Sequence, residues 1–106
     1  MLIDKTMQII NESILRKFWK AHPNAEKPLR AWITAARAVK WNSFADVKNT
    51  FNSADVYKCC VIFDIAGNNY RMITKMNYGF GVVYVKEMLT HSEYDKNAWR
   101  AKCDYP

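Results

Sequence analysis

The chain has 106 residues, half of them hydrophobic and a quarter charged, which fits a single soluble domain over residues 1–106 with one core. No run approaches the roughly 18 apolar residues of a membrane span, and Met1-Leu2-Ile3-Asp4-Lys5 lacks the basic-then-apolar pattern of a secretion signal, so a cytoplasmic protein with no membrane partner is expected. The net charge of +6 and a pI near 9.3 favour polyanionic or acidic partners.

Met7 to Ile10 reads as a short first strand. Asn11 stands where it can cap a helix over roughly Glu12 to Ala21, whose apolar side is Ile14, Leu15, Phe18 and Trp19. Pro23 ends that helix. A second helix is expected over Ala25 to Val39, with Leu29, Trp32, Ile33 and Ala36 at the offsets of a buried stripe. Pro28 falls in its first turn, where a missing N–H is tolerated. Arg16, Lys17, Lys20, Arg30, Arg37 and Lys40 decorate the outer faces of the pair.

Trp41 to Val56 reads as an irregular connection with one helical turn around Phe44 to Val47. Beyond it the hydrophobic period becomes two. Tyr57 to Ile65, Tyr70 to Asn77 and Val82 to Met88 are rich in β-branched and aromatic residues and separated by turn signals, which predicts an antiparallel meander. The expected fold is α+β: two N-terminal helices packed on a twisted antiparallel sheet of three to four strands, followed by a short C-terminal helix.

A hairpin turning on Gly67-Asn68 pairs Asp64 with Arg71, Ile62 with Ile73 and Cys60 with Lys75 on one face. The other face then holds Phe63 with Met72 and Val61 with Thr74. A second hairpin turning on Tyr78-Gly79 puts Lys86 beside Arg71 and Tyr84 beside Ile73, and sends Val83 and Val85 to the apolar face. Arg71 is the residue of interest on the charged face, because a guanidinium grips phosphate oxygens bidentately and stays charged at any working pH. Asp64 opposite it either holds it for that purpose or neutralises it as an ordinary cross-strand pair. Lys75, Lys86, Lys58 and Asn69 are the supporting candidates for phosphate contact.

Three cysteines occur, Cys59, Cys60 and Cys103. An odd number with two adjacent in an apolar run suggests neither a disulfide framework nor a metal site, and strand packing in a reducing compartment is expected of Cys59 and Cys60. His22 and His91 are the only histidines and neither has a second ligand at zinc-like spacing, so no metal or cofactor is expected.

Thr90-His91-Ser92-Glu93-Tyr94-Asp95 has the spacing of a capping box, Thr90 closing the helix start and Glu93 reaching back to it. His91 then lies in the first turn, with Tyr94 and Asp95 three and four residues later on the same face. Free N–H groups at that helix end attract anions, and a proton-transfer group beside an anion seat suits phosphodiester cleavage. The same hexapeptide taken alone also fits a plain solvated helix face.

Together these segments resemble the HigB-type toxins of bacterial type II toxin–antitoxin pairs, within the RelE-like mRNA interferase fold. The resemblance runs through Phe18-Trp19-Lys20-Ala21-His22-Pro23-Asn24-Ala25, Leu29-Arg30-Ala31-Trp32 and the Trp41 to Asp46 connection. It continues in Phe63-Asp64-Ile65-Ala66-Gly67-Asn68-Asn69-Tyr70-Arg71 and in Thr90 to Asp95. The family pattern usually has Asn in place of Asp64, Arg in place of Lys86 and Gly in place of Leu89.

The resemblance implies a toxin that cleaves mRNA in the A site of the 70S ribosome and is silenced by a cognate helix-turn-helix antitoxin. Operator DNA would then be bound only through that antitoxin. Metal-free attack of the ribose 2′-OH on phosphorus needs a base, charge stabilisation and a proton for the leaving oxygen. Arg71 is expected to stabilise charge, His91 to act as general acid or base, Tyr94 to stack on a base or donate to the phosphate, and Asp95 to orient the imidazole. A non-catalytic RNA- or ribosome-binding module using the same basic face is the alternative.

Overall fold

The computed structural model describes residues 6–104, so the amino-terminal reading at Met1–Lys5 lies outside the described residues. Its sheet has five strands: β1 (Gln8–Ile10), β2 (Asp55–Tyr57), β3 (Cys60–Ile65), β4 (Tyr70–Asn77) and β5 (Val82–Thr90), in the order β1-β5-β4-β3-β2. The pairs from β2 to β5 are antiparallel, whereas β1 runs parallel to β5 with Gln8 beside Val82 and Ile10 beside Tyr84. The expected antiparallel sheet of three to four strands is therefore corrected to a mixed sheet of five. The strand expected from Tyr57 divides in two, because Lys58 takes a left-handed φ of 51° and lets Tyr57 and Cys60 close a hairpin.

Helix α1 (Glu12–Ala21) has the expected bounds and buries Leu15 and Trp19. Asn11 does not cap it with its side chain. Its Nδ2 instead donates to the Val85 carbonyl at 3.2 Å, tying the helix start to β5. A 3-10 turn at Pro23–Ala25 leads into α2 (Glu26–Arg37), whose Leu29, Trp32 and Ala36 are buried. The single turn expected near Phe44 is a full helix, α3 (Phe44–Thr50), capped by Ser43, whose hydroxyl accepts from Asp46 N.

These helices cover one face of the sheet, meeting Val61, Phe63, Met72, Val83 and Val85. Phe63 is the centre of an aromatic group, with ring centroids 5.2 Å from Trp32, 6.1 Å from Trp41 and 5.5 Å from Phe51. Thr74 is the buried polar residue there, and its hydroxyl donates to the Val61 carbonyl at 2.8 Å. Among the described residues no helix is long and apolar enough to cross a membrane.

The first hairpin has the expected register, with Asp64 opposite Arg71, Ile62 opposite Ile73 and Cys60 opposite Lys75. Gly67 supplies the positive φ of 66° at the first central position of its turn, where Asn69 N donates back to the Ala66 carbonyl. The second hairpin departs from expectation. Its loop closes Asn77 on Val82, two residues of offset that preserve the faces, and Met76 and Thr74 meet Val83 and Val85. Opposite the Ile73–Thr74 step a bulge inserts one residue, Lys86, in β5, so Ile73 pairs with Glu87 and Arg71 pairs with Leu89.

Lys86 is therefore not beside Arg71. It lines a cleft of about 390 Å³ against α1, with Ile14, Phe18, His22 and Met88. This corrects its place in the expected basic cluster.

The face expected to lie open is partly covered. A 3-10 helix at Ala98–Cys103 lays Trp99 and Cys103 over Cys60, Ile62, Ile73 and Leu89. Cys60 and Cys103 form a disulfide across 43 residues, which corrects the expectation of unbridged cysteines. Nothing in local spacing signals a pairing of that range.

Candidate active site

Helix α4 (His91–Asp95) begins with the expected capping box: Thr90 Oγ1 accepts from Glu93 N at 3.3 Å, and Glu93 Oε1 accepts from Thr90 N at 2.9 Å. That contact, with the Thr90 N–H as the main cause, holds the Glu93 carboxyl below its ordinary value. The His91 N–H donates to the Asn69 carbonyl at 3.0 Å, so the helix start is bound to the β3–β4 turn. At five residues α4 carries little dipole, and an anion seat built on it alone has weak physical support.

The helix face expected to carry three groups together splits in two. His91 Nε2 contacts Asp95 Oδ2 at 3.3 Å, with both side chains more than half exposed. Held through Nε2, the ring leaves Nδ1 for another partner. Tyr94 turns inward, its ring lying 5.0 Å from the Arg71 guanidinium on one side and 5.0 Å from Trp99 on the other. Burial pushes the Tyr94 phenol above its ordinary value, opposed by Arg71 and Arg100 and assisted by Asp55 and Asp64. The phenol therefore stays protonated at neutral pH and is a hydrogen-bond donor.

Arg71 is 8% exposed and heavily engaged. Its Nε lies 3.0 Å from Asp64 Oδ1, and its Nη1 donates to the Asn68 and Tyr70 carbonyls, each at 3.1 Å. Its Nη2 donates to Asn68 Oδ1. Five N–H donors meet four contacts (one on Nε, two on Nη1, one on Nη2), leaving one Nη2 hydrogen. The expected bidentate grip on phosphate is thus replaced by a fixed charge with one donor to spare. A buried guanidinium clamped from three sides cannot swing, and such preorganised charge stabilises a developing anion best.

Arg71, Tyr94, His91, Asp95 and Asn69 therefore gather at one end of the sheet. The other expected contacts do not join them. Lys75 shares the face of Arg71, but four residues along β4 set it about 13 Å away, beyond Ile73. Lys58 sits at the β2–β3 turn, its Nζ 2.7 Å from Asp104 Oδ1, and that bond raises its pKa. Among the described residues no three His, Cys, Asp or Glu side chains cluster to hold a metal ion.

Two contributors escape sequence reasoning. Asn68, expected only as a turn residue, clamps Arg71 with both its side chain and its carbonyl; its position three residues before the guanidinium was the available signal. Trp99 has no such signal, since its role depends on a C-terminal turn folding back over the sheet.

A family model described as HigB_toxin, RelE-like toxic component of a toxin-antitoxin system, matches residues 25–97. The chain is also 25% identical over 93 residues to the mRNA interferase HigB of Escherichia coli O6:H1 (strain CFT073), an alignment covering 85% of this chain and 90% of that protein.

Proposed function

The chain belongs to the HigB family of RelE-like toxins, the toxic components of toxin–antitoxin systems, and from that premise we propose that it is a single-domain mRNA endoribonuclease acting at the Arg71–Tyr94–His91 end of its sheet. The observation that carries the site assignment is the meeting of two elements at one end of the sheet: the clamped Arg71 guanidinium of β4 lies against the Tyr94 ring of α4, the helix whose first residue is the exposed His91.

In the proposed reaction the ribose 2′-OH attacks the adjacent phosphorus, a base takes its proton, and the 5′-oxygen leaves with a proton from an acid. The products are a 2′,3′-cyclic phosphate and a free 5′-OH, and no metal takes part. Arg71 and the Tyr94 hydroxyl offset the charge that builds on the phosphoryl oxygens. His91 performs one of the two proton transfers, because its imidazole offers both a donor and an acceptor nitrogen. Asp95 on Nε2 orients the ring so that Nδ1 meets the RNA. Asn69 serves a phosphate or base contact, and Lys75 and Lys58 are proposed to meet RNA farther from the reacting linkage.

The remaining proposals concern partners. The RNA is mRNA under translation, presented in the ribosomal A site, and cleavage there halts protein synthesis in the cytoplasm. An antitoxin with a helix-turn-helix domain neutralises the toxin and supplies all contact with operator DNA.

Inducible expression with 5′-end mapping of cellular mRNA tests the reading. The native chain should produce new 5′ ends in translated regions and arrest growth. His91→Ala should fold normally and lose ~10²–10⁴-fold of the cleavage. Full toxicity in both His91→Ala and Arg71→Ala would show that this end of the sheet is not the active site. A chain that protects ribosome-bound mRNA without cutting it would be the non-catalytic binding module instead.

A further inference from the structure

The C-terminal turn carries two features that the cleavage reaction leaves unused, Trp99 and the Cys60–Cys103 disulfide. Trp99 is 4% exposed and lies parallel to Tyr94, planes 9° apart at 5.0 Å between centroids. Its Nε1 donates to the Tyr94 carbonyl at 3.0 Å. Tyr94 in turn lies against the Arg71 guanidinium, so Trp99 forms the outer layer of a stack that ends on the proposed catalytic charge. The helix bearing Tyr94 has five residues and draws little stability from its own hydrogen bonds.

What seats Trp99 is mostly not the local backbone. The 3-10 helix Ala98–Cys103 has no side-chain cap. Its ion pair of Lys102 with Glu87 at 3.1 Å and the neighbouring pair of Lys58 with Asp104 at 2.7 Å both include a half-exposed lysine, and such pairs hold little. Packing of Trp99 on Tyr57, 5.4 Å between centroids, adds an apolar contact. Cys59 donates its N–H and thiol to the Cys103 carbonyl at 3.5 and 2.9 Å, Arg100 lies over the Tyr57 ring at 4.8 Å, and the one covalent tie described is Cys103 to the buried Cys60 at the start of β3.

We propose that Trp99 is a positioning residue for the Arg71–Tyr94 pair and that the Cys60–Cys103 bond is a redox latch keeping it seated, the effect on cleavage resting on the nuclease reading above. In the unlatching step a transient local opening of the turn exposes the bond, which is buried in the closed state; a protein or small-molecule dithiol then attacks Cys103 Sγ, the S–S bond breaks and Cys60 leaves as a thiolate. The second thiol of the reductant resolves the mixed disulfide. Two electrons and two protons pass to Cys60 and Cys103, and the reductant departs as its own disulfide. Freed of its cross-link, the turn then opens locally while the sheet persists. Reduction thus loosens the seat of Trp99, and oxidation restores it.

Hydrogen exchange and mRNA cleavage, measured on the full chain oxidised, reduced with dithiothreitol and reoxidised, test this. Cys59→Ser is carried in parallel, because the Cys59 thiol lies 2.9 Å from the Cys103 carbonyl and offers an alternative pairing. On reduction the amides of residues 91–103 should exchange at least about tenfold faster while those of β3 and β4 hold. Cleavage should fall roughly ten- to a hundredfold, mainly in kcat, and both changes should reverse on reoxidation and persist in Cys59→Ser. Trp99→Ala should cleave at the reduced rate in either redox state. Unchanged exchange on reduction overturns the latch. Faster exchange with undiminished cleavage overturns the positioning role and leaves the nuclease reading intact. If neither form cleaves RNA, the nuclease reading and the control of cleavage fall together, and exchange alone decides the latch.

Discussion

The two faces of the sheet are built from different materials. On the helix-covered face Phe63, Trp32, Trp41 and Phe51 interlock with Val61, Met72, Val83 and Val85, and the polar exception, Thr74, is satisfied internally. On the other face a small apolar patch of Ile62, Ile73 and Leu89 lies beside a charged group whose members hold one another: Asp64, Asn68 and Tyr70 on Arg71, then Tyr94, then Trp99. The first face is stable because of volume and apolar area, which many residues share. The second depends on a few directional contacts and on the 3-10 turn Ala98–Cys103 that lays Trp99 over it. Damage to one should therefore read out as unfolding and damage to the other as lost chemistry.

The sharpest way to break that division is to take the centre of each face. Phe63→Ala removes the ring around which three others pack, and should destabilise the fold by about 3–5 kcal/mol in denaturant titration, with cleavage lost along with structure. If Phe63→Ala melted like the native chain, the helix-covered face would not be the stability-determining one. Arg71→Lys keeps the charge but not the fork that Asp64, Asn68 and the Tyr70 carbonyl grip. Cleavage should fall about 10²–10³-fold, the range for losing one preorganised stabilising donor, while most of the fold's stability survives. A lysine that restored full cleavage would mean that charge alone suffices at this position and that the clamp is incidental.

How much of this was legible in the chain follows the same division. The helix-covered face announced itself by period: Leu29, Trp32 and Ala36 at helical offsets, Phe63 and Met72 at the alternation of strands, all buried as expected. The Gly67 turn fixed the first hairpin because a two-residue turn leaves one register, and that register carried Asp64 to Arg71. The second hairpin carried no such lock. Its loop closes one position later than Tyr78-Gly79 implies, and the bulge between Ile73 and Thr74 has no local signature, so sequence alone misplaces Lys86 and Leu89 takes its place opposite Arg71. β1 was legible as a strand, but its partner was not, since parallel pairing joins distant segments. Cys60–Cys103 and Trp99 were hidden for the same reason. Of the site, the residue types and the capping box were readable. Which of the basic residues converge was not, because convergence is set by register and by chain-end packing.

Smaller effects probe the hinge between the faces, the start of α4. Thr90→Ala removes the hydroxyl that accepts from Glu93 N and should cost about 0.5–2 kcal/mol of stability, seen as faster exchange at residues 91–95. The finest test uses the other half of the box. Glu93 has its pKa lowered in the folded chain, first by the Thr90 N–H. A depressed carboxylate favours folding only while ionised. Its contribution is complete above the unfolded value near 4.5 and is lost as pH falls through the lower folded value. Backbone amide shifts of α4 followed by NMR should therefore show a step as Glu93 protonates in acid. Glu93→Gln keeps an acceptor for the Thr90 N–H and removes the titration, so it should flatten that acid response. An undiminished acid response in Glu93→Gln would assign the titration to another group, with Asp95 on the same helix the first to examine, and would detach the capping box from the pH behaviour of the site.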